Sequence, residues 1–224
     1  MMMTNDWTWL LDTPWLALIG GISLCLLLGW LAGALQNRRR SQAILDALND
    51  SARGRVVPVW GPGRRGFFGK FEPAPDPFTQ FSITYHVRSN LDLIGWLLRP
   101  LTGPRERMII HGKLDAQLGA ELIWLRGQIP ARALGHDPGA TLWRQQWLDF
   151  ANCAYATRGA NPGAMVHGFT DLQSRFGPWL HKVSIQADET PELEIVLRTT
   201  GLNVEEIRAL ITAVRAVGRA ALLR

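Results

Sequence analysis

The chain has 224 residues, 47% of them hydrophobic, and 24 Lys and Arg against 19 Asp and Glu give a formal charge of +5. That apolar content excludes a disordered polar chain, and two cysteines exclude a disulfide framework, which agrees with a reducing compartment. The charge is uneven: residues 1–37 hold Asp6 and Asp12 and no cation, 38–70 hold eight cations against Asp46 and Asp50, and 71–224 are nearly balanced, which argues against a basic nucleic-acid-binding face.

Residues 15–35, WLALIGGISLCLLLGWLAGAL, carry no charge. At about 1.5 Å of rise per residue they are long enough for a hydrocarbon core roughly 30 Å thick. Trp7, Trp9, Trp15 and Trp30 flank the run, where indoles favour the water–lipid boundary. Arg38, Arg39 and Arg40 follow at once and by the positive-inside rule hold the C-terminal side in the cytoplasm. A cleaved signal peptide is the competing reading, since 32–34 (AGA) resembles a cleavage site. The missing basic n-region and the length of the run oppose it. The expected organisation is a short extracytoplasmic N-terminus (1–14), a membrane helix (15–35), a basic juxtamembrane helix and Gly/Pro-rich linker (36–78), and a cytosolic domain (79–224). The location is then an inner or plasma membrane, crossed once.

Residues 41–49 predict a short helix continuing from the membrane, with Ile44, Leu45 and Leu48 apolar. Residues 51–78 carry five prolines and no sustained period, so an extended connector is expected, touching the domain through Phe67, Phe68 and Phe71. Gly61, Gly63 and Gly66 invite a phosphate-loop reading, but no GK[ST] follows them. Residues 79–87 alternate cleanly, Phe81, Ile83, Tyr85 and Val87 against Gln80, Ser82, Thr84 and His86, and predict a strand. An apolar patch in 91–105 reads either as a core connection or as an interfacial segment whose Trp96, Leu97 and Leu98 touch lipid beside the Arg38–Arg40 triplet.

Residues 107–114 and 120–129 are β-rich and separated by DAQLG, which predicts a hairpin. Residues 141–157 fit a helix through Trp143, Trp147, Phe150 and Ala154, or a strand through Leu148 and Phe150. Asn161 and Pro162 form an N-cap and N1 pair before Met165, Phe169, Leu172 and Phe176, an amphipathic helix ended by Gly177 and Pro178. KVSIQAD and LEIVLRT predict a second hairpin. Asn203, with Glu206 three residues on, caps a final helix whose stripe is Val204, Ile207, Leu210, Ile211, Val214 and Val217. The fold class is α+β with a mainly antiparallel sheet and two C-terminal amphipathic helices. If 148–156 is a strand, the βαββα order is most of a ferredoxin-like unit.

No reaction-defining motif is present. The five histidines lack tight ligand spacing, and only His86 and His111, on strands expected to be neighbours, admit a two-histidine site; no metal or other cofactor is expected. Cys153 lies in apolar sequence and reads as inert packing. Arg158 and Asn161 outline an anion-binding rim at a helix start, with a solvated charge and a simple cap as the plainer account. The reading leans away from an enzyme, with no catalytic residue assigned. It favours a scaffold or binding domain tethered at the membrane, with the lipid bilayer and a protein as its partners. The alternatives are a tethered enzyme or ligand-binding domain acting on a lipid-linked or anionic substrate, and a peripheral membrane sensor using 96–101.

Overall fold

A computed structural model describes residues 14–51, 54–61, 66–87, 106–127, 129, 143–148, 151, 153–159 and 162–222. Helix α1 spans Pro14–Ser51 without a break, 38 residues and therefore about 57 Å. Its two halves differ in environment. Residues 15–32 are exposed throughout, whereas Asn37, Ser41, Ile44, Leu45 and Leu48 recur at helical spacing and are buried. Among the described residues α1 is the one helix long and apolar enough to cross a membrane. Its C-terminal half lies against the last helix, where Ile44, Leu45 and Leu48 each contribute about 1.5–3 kcal/mol by burial.

Among the described residues nine strands follow: β1 (Arg55–Trp60), β2 (Gly66–Glu72), β3 (Phe78–Val87), β4 (Glu106–Leu114), β5 (Ala120–Leu125), β6 (Arg144–Leu148), β7 (Cys153–Gly159), β8 (Leu180–Ile185) and β9 (Leu193–Arg198). Helix α2 (Gly163–Phe176) lies between β7 and β8, and α3 (Val204–Ala221) follows β9. The strands make a single sheet in the order β1-β2-β3-β4-β9-β8-β5-β7-β6, with every pairing antiparallel. Helix α3 packs between α1 and α2. The core lies between this helical layer and one sheet face, with Phe81, Ile83, Met108, Ile110, Ile195 and Leu210 fully buried.

Three expectations need correction. The stretch 51–78, expected to be a connector, supplies β1 and β2, because Val56, Phe67 and Phe71 alternate into the core while Phe68 stays 43% exposed. Gly66 permits the β2 turn-in at φ 138°, where a Cβ would stand 2.0 Å from the Tyr85 carbonyl oxygen. The hairpin expected from 107–114 and 120–129 does not form. The β8–β9 hairpin is inserted between β4 and β5, and the 115–119 connection instead ties to the end of α3, Gly119 N–H donating to Ala221 O at 2.9 Å. Finally, α2 starts one residue later than expected: Pro162 is its N-cap, with no side-chain cap, and Asn161 lies outside the described residues.

Other expectations match. Residues 79–87 lie within β3, the β8–β9 hairpin pairs Val183 with Ile195, and Met165, Phe169, Leu172 and Phe176 face the core. Within the untyped segment, 144–148 and 153–157 are strand, in β6 and β7, where Tyr155 and Cys153 alternate inward. The order β7-α2-β8-β9-α3 follows, but β5 intervenes between β8 and β7 and the sheet is larger than a ferredoxin-like unit. The capping box on α3 is complete, with Asn203 Oδ1 accepting from Glu206 N–H at 2.8 Å and Glu206 Oε2 accepting from Asn203 N–H at 2.6 Å.

Candidate functional site

One end of the sheet gathers the features that bear on function, and it is the end from which the apolar half of α1 departs. Arg40, five residues past the uncharged run, turns inward there. Its Nε donates to Glu106 Oε2 at 3.4 Å and its Nη2 to Thr199 O at 3.2 Å and to Leu202 O. Thr199 Oγ1 also donates to Glu106 Oε2, at 3.2 Å. The arginine thereby ties α1 to β4 and to the β9–α3 turn. Below it the Tyr85 hydroxyl is buried, and burial, then the Glu106 carboxylate, push its pKa well above the ordinary phenol range. Arg38 and Arg39 remain exposed. A cleft of about 630 Å³ opens beside them, lined by Gln36, Asn37, Arg39, Glu106, Thr200 and Asn203. Its lining mixes these polar groups with the apolar Val87 and Leu202, and among the described residues it holds one carboxylate and no nucleophile paired with a base.

The far face of the sheet, away from the helices, carries the other candidates. Arg158 stands directly across from Glu121 in the β5–β7 register, its Nε donating to Glu121 Oε2 at 2.8 Å. Its Nη2 reaches Asp188 Oδ2 at 3.3 Å, and the guanidinium lies 5.1 Å from the centroid of the Trp143 ring. Two carboxylates thus already occupy the charge that an anion rim would use, and the side chain is only 19% exposed. Of the remaining sequence candidates, Trp96, Leu97 and Leu98 lie outside the described residues.

His86 and His111 do not meet. On β3 and β4 they face Arg107 and Ser82 respectively, four register positions apart, or about 13 Å at strand rise. Among the described residues no group of three His, Cys, Asp or Glu converges on a point. Cys153 is buried, and burial raises its thiol pKa, so it is a poor nucleophile where it stands.

Sequence reasoning missed what the registers bring together on the far face, at the end nearest the apolar half of α1. His86 pairs with Arg107, and Arg107 with Arg198, so that basic residues of three adjacent strands stand in one row. His181, at the bulge of β8, lies beside them. Its pKa is lowered by burial and then by the charges of Arg198, Arg126 and Arg107. Arg126 donates to Gly177 O and Pro178 O at the end of α2 and is engaged there. These residues are scattered through the sequence from 86 to 198, and no local pattern marks them.

No family model matches this chain, and no curated protein matches it.

Proposed function

We propose that the chain is a single-pass membrane protein whose α+β domain sits on the cytoplasmic face and acts by binding, holding a protein partner close to the bilayer. The observation that carries this reading is the division of α1 into a fully exposed apolar half and a half docked on the domain. An exposed run of Leu, Ile and Trp on this scale is the kind of surface that lipid covers, which supports the reading. Its rigid continuation into the core sets the domain at a fixed height below the membrane, which suits a tether better than a flexible linker would. The Arg38–Arg40 triplet supports the inward orientation.

Protease added outside intact cells should leave the domain uncut and should digest it after lysis. Cross-linking followed by capture of the detergent-solubilised chain should recover a discrete partner. Cleavage in intact cells would overturn the orientation. Absence of any partner, together with turnover of a lipid-linked substrate in an activity screen, would favour the enzyme reading instead. For that alternative the supporting feature is the cleft beside Arg39, and Arg39→Ala should then abolish substrate binding without lowering the melting temperature.

A further inference from the structure

Arg107 on β4 and Arg198 on β9 are directly opposite one another on the same face of an antiparallel pair. Like charges in that position destabilise a sheet. Neither forms an ion pair among the described residues, while other charges on the same face are matched, Lys182 with Glu194 and Arg158 with Glu121. Two side-chain nitrogens within the cluster, Arg198 Nε and His181 Nε2, are buried from solvent and have no hydrogen-bond partner among the described residues. Buried nitrogens left open and cations left uncompensated describe a site short of an anion.

The place of the row says which anion. Glu106 and Thr199, which hold Arg40 of α1, are the immediate chain neighbours of Arg107 and Arg198. Arg40 in turn lies five residues beyond Leu35, about 7.5 Å along the helix axis from the end of the apolar run. A lipid headgroup layer is about 5–8 Å deep on each side of the hydrocarbon. With α1 in the membrane, the row therefore sits at the level of the headgroups of the same leaflet. Resting on the anchored reading above, we propose that His86, Arg107, His181 and Arg198 form a binding site for the phosphate of an anionic lipid headgroup, which fixes the domain against the bilayer.

The test uses the full chain in micelles of an uncharged detergent, titrated with short-chain phosphatidylglycerol, short-chain phosphatidylcholine or inorganic phosphate and followed by melting temperature. Phosphatidylglycerol should raise the melting temperature, and phosphatidylcholine should not. Arg107→Gln and Arg198→Gln should each weaken the phosphatidylglycerol response about fivefold and together about thirtyfold. Each single variant should fold with a melting temperature equal to or above that of the parent without lipid, since each relieves the like-charge pair. An undiminished response in the double variant would overturn the site. A response to inorganic phosphate as strong as that to phosphatidylglycerol would overturn the lipid assignment. Co-flotation with vesicles of phosphatidylcholine alone separates the two claims: a chain that floats but shows no headgroup selectivity retains its anchor and loses this site, whereas one that does not float loses the anchor.

Discussion

The inward turn of Arg40 makes a prediction that separates it from its two neighbours. In Arg40→Gln the contacts to Glu106, Thr199 O and Leu202 O are lost or shortened to a single amide bond. Charge-assisted hydrogen bonds contribute about 1.5–3 kcal/mol each. The bonds to Glu106 and Thr199 O are long, 3.4 and 3.2 Å, and the Arg40 and Glu106 side chains are 26% and 17% exposed, so for these two the bottom of that range applies. With the glutamine amide keeping the bond to Leu202 O, the two long bonds lost at about 1–1.5 kcal/mol each give a total of about 2–3 kcal/mol. For a domain of this size each kcal/mol moves the melting temperature by about 2–4 °C, so the fall should be about 4–12 °C. Arg38→Gln and Arg39→Gln alter exposed side chains and should stay within about 0.5 kcal/mol of the parent. Thermal unfolding in an uncharged detergent, followed by tryptophan fluorescence and near-ultraviolet dichroism, measures all three. Equal effects of the three substitutions would refute the clamp and leave the triplet as a topology signal only.

Phe169→Ala empties a site that is fully buried, its ring centroid 6.0 Å from that of Trp124 and 5.7 Å from that of Tyr155, and should lose about 3–5 kcal/mol in chemical denaturation. Asn203→Ala removes one arm of the α3 capping box and should lower stability by about 1 kcal/mol in the same assay. His181 gives a pH dependence of known sign: its folded pKa is lowered, so the unfolded chain takes up a proton first as pH falls below about 6.5. Stability should be complete above that value and decline below it. His181→Gln should flatten the decline between about pH 5 and 7, measured as denaturation midpoints without anionic lipid; an unchanged slope would count against its burial among Arg198, Arg126 and Arg107.

Local order was legible wherever one face of an element meets the core and the other meets water. Phe81, Ile83, Tyr85 and Val87 marked β3 by alternation, and Ile207, Leu210, Ile211, Val214 and Val217 marked α3 by helical period. The apolar half of α1 was legible because it is an uncharged run long enough to span a hydrocarbon core. Segments that depart from such a two-sided environment were not. Four residues of β6 are exposed and most of β7 is buried, so neither shows clean alternation, and the prolines of 51–78 masked β1, whose Pro58 is accommodated on an edge strand.

What the sequence by itself determined is therefore the long apolar helix, the α+β class and the inward faces of most elements, because each is written in residues close together in the chain. Which strands are neighbours was decided only in three dimensions. A hairpin between β4 and β5 and the observed insertion of β8–β9 between them bury the same apolar faces, and local pattern does not distinguish them. The choice falls to packing across the whole sheet. That choice sets Arg107 against Arg198 and docks α1 through Arg40, placing the basic row at the end of the domain from which the apolar helix leaves.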